Sequence, residues 1–65
     1  MQLKINGMTC GHCVKAVHEA LQAVPEAGDV SVDLVTGIAT VEGHAQLELL
    51  LAAVREEGYQ VEACP

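Results

Sequence analysis

Apolar and polar residues alternate in four short segments of the chain, which is the period of a β-strand with one buried face. These segments are Leu3 with Ile5, residues 30–34, residues 39–41 and residues 59–61. Thr36 and Gly37 separate the two middle segments and supply turn residues. The pattern therefore predicts four strands, the middle two of which form a β-hairpin.

Two further segments have apolar residues at the three-and-four spacing of one helix face. The first begins at Cys13 and is ended by Pro25, with Gly28 and Asp29 following; its apolar face is Val14, Val17, Leu21 and Val24. The second follows Gly43 and His44 and runs to about Glu57, with Gly58 as its C-terminal stop; its apolar face is Leu47, Leu50, Leu51 and Val54. The sequence thus predicts two amphipathic helices.

The order strand, helix, strand, strand, helix, strand is that of the split βαβ, ferredoxin-like folds. We expect one α+β domain over residues 1–65, a four-stranded antiparallel βαββαβ sheet with both helices on one face. In this order, three loops share one end of the sheet: residues 7–13, residues 35–37 and residues 58–59.

Charge and composition narrow the range of possible functions. The net charge is −6 with three basic residues, Lys4, Lys15 and Arg55, so the chain is not expected to bind nucleic acid or an anionic membrane. A basic partner or a small cation fits this charge better. No apolar run approaches the roughly 20 residues that span a bilayer, and because Met1 leads straight into the first strand pattern, we expect no signal peptide. An odd number of cysteines, three, suits a reducing compartment, so we expect a cytoplasmic protein.

The candidate chemistry lies in residues 7–13, which read GMTCGHC. Cys10 and Cys13 fall at the junction of a loop and a helix, where unpaired amide groups and the helix dipole favour thiolates. Gly7 and Gly11 give the backbone freedom to bend there. Two thiolates are therefore expected to converge on one point.

A Cys-x-x-Cys pair serves three chemistries, and the residues alone leave them ranked but open. A structural zinc site needs four ligands, yet Cys64 follows Tyr59 by five residues of strand, about 17 Å away. A thioredoxin-like redox enzyme needs a substrate groove that 65 residues with one aromatic side chain cannot easily build. A soft ion, above all Cu(I), is satisfied by two thiolates, and an under-coordinated site suits transfer of that ion to a partner.

GMTCGHC, followed by VKAV and the βαββαβ order, resembles the heavy-metal-associated domain, and within it the bacterial copper chaperones of the CopZ type. Glu57-Gly58-Tyr59 supports this resemblance, because bacterial members carry a tyrosine at that place near the metal loop. The resemblance covers essentially the whole chain. Cys64 and the strongly acidic balance depart from the family pattern. The same domain also occurs within metal-transporting ATPases and in periplasmic mercury carriers, but the start at Met1 favours a free-standing cytoplasmic form.

The resemblance implies Cu(I) held by Cys10 and Cys13, no catalysis, and delivery to a related domain of a copper-transporting P-type ATPase or to a copper regulator. It is compatible with an apo monomer and a copper-bridged dimer. Mercury, zinc and cadmium stay open as other cargoes, as does a small dithiol redox protein.

Four residues near the pair are candidates for auxiliary roles. We expect Met8 to support the loop by packing and His12 to lie in solvent or assist a shared metal. Tyr59 is expected to shield or hydrogen-bond the sulfurs, and Lys15 to offset the charge of a dithiolate. His18 and His44 are expected on the surface, and Cys64 is expected to be a free thiol near the chain end.

Overall fold

The computed structural model describes residues 1–64 and contains the six elements predicted from the sequence. Their bounds are β1 Gln2–Asn6, α1 Gly11–Gln22, β2 Ala27–Asp33, β3 Ile38–Gly43, α2 Leu47–Glu56 and β4 Gln60–Ala63. The four strands form one antiparallel sheet in the order β2-β3-β1-β4. The ferredoxin-like α+β fold is therefore confirmed.

The register of the strands brings the three predicted loops to one end of the sheet. Asn6, the last residue of β1, pairs with Gln60 at the start of β4. On the other side of β1, the Ile5 N–H donates to the Gly37 carbonyl oxygen at 2.7 Å. The loop after β1, the hairpin turn and the loop before β4 therefore lie side by side.

The core is built from branched aliphatic side chains between the sheet and the two helices. Leu3 and Ile5 of β1 are buried while their neighbours in the strand are not, as the alternating pattern predicts. The buried cluster consists of Leu3, Ile5, Val17, Leu21, Val24, Ala39, Val41, Ala45, Leu50, Leu51 and Val54. Within residues 1–64, no helix is long and apolar enough to cross a membrane.

The first helix differs from its predicted bounds at both ends. It begins at Gly11 rather than Cys13, because the extended backbone of Cys10 (φ −159°) serves as its N-cap. It ends at Gln22, although Val24 beyond it is still buried at 8% exposure. Apolar spacing located the buried face of this helix, but polar and glycine residues in its first turn carried no periodic signal.

The two strands of the middle hairpin are longer than the alternating segments predicted, but β2 ends one residue earlier than expected. Leu34, predicted at the end of a strand, lies in the turn and is 39% exposed. The Asp33 carboxylate accepts hydrogen bonds from the N–H groups of Val35 and Thr36, at 2.8 and 3.3 Å, which starts the turn one residue earlier. Gly28 and Asp29, expected to follow the first helix as a break, belong to β2 beside a bulge.

The second half departs less from the prediction. Helix α2 starts at Leu47, after His44 and two further residues, and stops at Glu56, one residue before the predicted end. Gly58 follows with φ +95°, and its N–H donates to the Arg55 carbonyl oxygen at 2.9 Å, as in a glycine-terminated helix. Tyr59, predicted within the last strand, immediately precedes β4.

Candidate metal centre

The two cysteines of the GMTCGHC segment occupy the first turn of α1. Cys10 caps the helix, and its carbonyl oxygen accepts from the N–H groups of Cys13 at 3.1 Å and Val14 at 3.3 Å. Cys13 is therefore the third residue of the helix, one turn along from Cys10. Cys10 is exposed and Cys13 is half-buried. The pair thus places a more exposed and a less exposed cysteine on the same turn.

Polar groups around Cys13 stabilise its thiolate. They lower the pKa of Cys13 from 9.0 to about 6, the largest contribution coming from the Thr9 backbone amide, followed by the Tyr59 hydroxyl and the Thr9 hydroxyl. Partial burial acts in the opposite direction and raises the pKa of Cys13, whereas a hydrogen bond from the Cys10 backbone lowers it further. The Thr9 Oγ1 atom lies 3.8 Å from the Cys13 sulfur. A thiolate near neutral pH is the form that binds soft metals.

Tyr59 is coupled to the same sulfur. Its pKa is raised, first because the hydroxyl hydrogen-bonds Cys13 and then because burial and the nearby charges of Cys13, Cys10 and Glu57 disfavour the phenolate. The half-buried ring also packs against the core cluster. Tyr59 therefore contacts both the hydrophobic core and the cysteine loop.

The other predicted auxiliary residues lie around the cysteine pair, at different depths. Met8 is half-buried and packs against the core, beneath the loop. His12 lies in the first turn of α1 between the cysteines and is exposed, as is Lys15. Within residues 1–64, no group of three or more histidine, cysteine or acidic side chains is arranged to hold a metal ion.

The third cysteine and the other histidines lie away from this site. The N–H of Cys64 donates to the Gln2 carbonyl oxygen at 2.9 Å, so Cys64 sits where β1 begins, at the opposite end of the strand from the loop. His44 is exposed and follows β3, again at the far end, and His18 on α1 is half-buried rather than fully on the surface. Among residues 1–64, the cysteine sulfurs at the site are therefore those of Cys10 and Cys13.

Sequence reasoning overlooked Thr9, whose amide and hydroxyl both act on Cys13. A signal was present: Thr9 stands four residues before Cys13, the separation at which side chains of one helical turn meet. It was easy to miss, because Thr9 precedes the helix and its proximity depends on the path of the loop.

The fold and the loop define the class: a small ferredoxin-like domain with an exposed Cys-x-x-Cys pair on the first turn of its first helix. The heavy-metal-associated domain model matches residues 2–60, and the chain belongs to this family.

Several relatives of the chain are named for copper. It is 49% identical over 63 residues to Copper-transporting ATPase 2 of Rhizobium meliloti (strain 1021), covering 92% of this chain and 8% of that protein. It is 31% identical over 62 residues to Copper chaperone CopZ of Staphylococcus aureus (strain JH9), covering 91% of each. A solved structure of CopZ metallochaperone superposes with a TM-score of 0.91 at 29% identity, covering 95% of this chain and 97% of that one. The chain thus spans nearly all of a chaperone but a small fraction of the ATPase.

Proposed function

We propose that this protein is a copper carrier that binds Cu(I) between Cys10 and Cys13 and passes it to a partner. The observation that carries the proposal is the pair of thiols on one exposed helical turn, one of them with its pKa lowered to about 6. Two soft thiolates suit Cu(I), which accepts low coordination, better than zinc, which favours four ligands. Copper is the cargo here rather than a resident cofactor.

An exposed outer sulfur supports transfer by ligand exchange. A thiolate of the partner bonds to Cu(I), the bond to Cys10 breaks, and the bond to Cys13 breaks afterwards as a second partner thiolate takes its place. No electron is moved, and the released thiolates take up protons from water or stay ionised. The exposure of Cys10 leaves the ion accessible to such an attack.

The surrounding residues have supporting roles in this proposal. Thr9 and Tyr59 stabilise the Cys13 thiolate, and Met8 supports the loop from the core side. Lys15, exposed in the second turn of α1, offsets the negative charge of the dithiolate. His12, exposed between the two cysteines, is available where two molecules share copper.

The proposed partner is the metal-binding domain of a copper-transporting P-type ATPase or a copper regulator. We place the transfer in the cytoplasm. The protein is a monomer without copper and can form a copper-bridged dimer. The likeness to both a chaperone and an ATPase supports this, since donor and acceptor then share one fold. We propose that residues 1–65 form one domain and that it is not an enzyme. A domain of a metal-transporting ATPase is the alternative, favoured by the 49% identity to Copper-transporting ATPase 2.

Two alternative functions can be distinguished from copper transfer by experiment. A carrier of mercury, cadmium or zinc would use the same thiols but rank the ions differently. A dithiol redox protein would use the lowered pKa of Cys13 for nucleophilic attack and would reduce a model disulfide with turnover.

The deciding experiment is an anaerobic competition titration of the reduced protein with a chromogenic Cu(I) chelator, with Zn(II) titrated in parallel. Tight 1:1 binding that favours Cu(I) over Zn(II) supports the proposal. Cys10→Ser and Cys13→Ser are expected to abolish tight binding, whereas the matched Cys64→Ser variant keeps it and forms fewer oxidative dimers. Wild-type Cu(I) affinity in Cys10→Ser would refute the site, and catalytic disulfide reduction would favour the redox function.

A further inference from the structure

An open groove of about 430 Å³ runs between the C-terminal half of α1 and the exposed side of α2, apart from the cysteine loop. Its floor and walls are mainly apolar, and they include Ala20, Ala23, Pro25, Leu49, Ala52 and Ala53. Leu49 is 44% exposed, one of the most exposed large apolar side chains of the domain. Val24 and Ala53 connect the bottom of the groove to the core, whereas Leu49 and Ala52 lie on the exposed side of α2, away from its buried face of Leu50, Leu51 and Val54.

The groove has an acidic end. Glu56 and Glu57, the last residue of α2 and the one after it, line the groove where the apolar residues stop, and both are exposed. An occupant that fits therefore combines apolar side chains with a positive charge at one end. This combination is typical of a basic amphipathic helix, which lays its apolar side into a groove between helices.

Charge decides between the possible occupants. A second copy of this chain would bring a further net charge of −6 to an acidic rim and offers three basic residues. One of these, Lys4, already donates to the Thr36 carbonyl oxygen. An anionic membrane surface is disfavoured for the same reason. A basic protein segment is attracted by both the rim and the whole domain.

We propose that the groove between α1 and α2 binds a basic amphipathic helix of a partner protein. Apolar side chains of that helix cover Leu49 and Ala52, and a lysine or arginine lies against Glu56 and Glu57. This surface is separate from the copper ligands and needs no copper. Its acidic end adjoins the loop before β4, because Glu57 is followed directly by Gly58 and Tyr59, which precede β4. Occupation is therefore expected to be sensed at Tyr59 as well as in the groove.

The probe for this surface is a synthetic amphipathic helix of leucine and lysine, titrated into the isotopically labelled apo protein and followed by NMR. Oligolysine serves as the charge control, and the same helix with glutamate in place of lysine serves as the apolar control. Ala52→Lys places a long cationic side chain in the groove and keeps a good helix former in α2. Ser31→Lys makes the same charge change at an exposed site of β2, in register with Thr40 on the sheet face away from the core.

The proposal is supported by chemical-shift changes concentrated at Ala20, Leu49, Ala52 and Glu56. It also requires that the helix bind Ala52→Lys about tenfold more weakly than the wild type, which corresponds to about 1.4 kcal/mol. Ser31→Lys should weaken binding by less than about twofold. If both substitutions weakened binding equally, or if oligolysine bound as tightly as the helix, binding would reflect only the overall negative charge of the domain. Either result would overturn the proposal. Shifts on the open sheet face, stronger binding of the glutamate helix, or no binding of the leucine-lysine helix would also overturn it.

Discussion

Gly7 lies so close to the Tyr59 ring that a side chain at position 7 would make an unusually tight contact with it. A Cβ atom built on Gly7 would lie 3.3 Å from the Tyr59 Cδ1 atom, and the φ of Gly7 is +102°, a conformation that L residues rarely adopt. Gly7 lies in the loop before α1 and Tyr59 just before β4, so the glycine lets the aromatic ring approach the loop backbone. The same ring carries the hydroxyl that acts on Cys13.

Gly7→Ala is therefore expected to affect both stability and the thiol. The positive φ alone predicts a loss of about 1–2 kcal/mol in the free energy of unfolding. Displacement of Tyr59 should also raise the pKa of Cys13 toward its ordinary value. Chemical denaturation and thiolate absorbance against pH measure the two effects.

Gly11→Ala is the matched control, because nothing lies within 4 Å of the position of its Cβ atom and Gly11 is the first residue of α1. Alanine in a helix is favoured over glycine, so this variant should be more stable by up to about 1 kcal/mol. A Gly7→Ala protein with unchanged stability and an unchanged Cys13 pKa would contradict the role given to this contact.

The reactivity of Cys13 should follow its lowered pKa. In the apo protein, its alkylation by iodoacetamide is expected to rise with a midpoint near pH 6, because that is where the thiol ionises. Thr9→Val and Tyr59→Phe each remove a hydroxyl that stabilises the thiolate, so each should move the midpoint upward. Mass spectrometry of the modified peptide reads Cys13 separately from Cys10 and Cys64. A midpoint that stays put in both variants would show that these hydroxyls do not act on the sulfur.

The same shift makes the stability of the apo protein depend on pH. The unfolded chain holds its thiol proton up to about pH 9 and the folded chain loses it near pH 6, so folding is favoured by ionisation. This contribution is fully present above pH 9, and it is lost as the pH falls through 6. Chemical denaturation at several pH values measures this effect. The free energy of unfolding of the wild type should rise between pH 6 and 9, and that of Cys13→Ser should lack this rise. An identical pH profile in Cys13→Ser would assign the rise to other groups.

Apolar spacing was sufficient to predict all six elements and the faces they bury. Leu3, Leu21 and Leu50, for example, are each fully buried, as their positions in the pattern indicate. The sequence also predicted that the loop after β1 and Tyr59 would be neighbours, which follows from strand order alone. It could not place the start of α1 at Gly11, since the N-cap of Cys10 is a backbone conformation without a capping side chain. The contacts of Thr9 with Cys13 depend on loop geometry, so they too required the structure.

Two glycines with similar backbone angles should differ sharply in their tolerance of substitution. A Cβ atom on Gly43 (φ +97°) would lie 2.7 Å from the Glu26 carbonyl oxygen and 2.8 Å from the Gly28 nitrogen, whereas nothing lies within 4 Å of one on Gly58 (φ +95°). We expect Gly58→Ala to lose about 1–2 kcal/mol from the backbone alone, and Gly43→Ala to lose more, about 2–4 kcal/mol, because backbone atoms must also shift. Urea denaturation of the two variants measures this. Equal losses would mean that the turn after β3 relaxes without strain.

Glu26 is a site where the domain can be stabilised. It has φ +66° in the turn between α1 and β2, although it is not a glycine, and its carbonyl oxygen accepts from the His44 N–H at 3.2 Å. Glu26→Gly removes the steric penalty of this conformation and keeps the carbonyl, so a gain of about 0.5–1 kcal/mol is expected. Glu19→Gly in the middle of α1 is the control and should lose about 1 kcal/mol. Differential scanning calorimetry would contradict the argument if Glu26→Gly melted below the wild type.

Removal of metal should leave the fold intact, because the core and the two cysteines are separate. The buried cluster of residues between the sheet and the helices contains neither Cys10 nor Cys13. After treatment with a strong chelator, we expect the helical circular dichroism and a cooperative thermal transition to persist. Added metal should raise the transition temperature only as mass action requires. Leu50→Ala, which removes a fully buried side chain, should instead lose about 2–5 kcal/mol with or without metal. Loss of the cooperative transition on chelation would show that the metal, rather than the aliphatic core, holds the domain together.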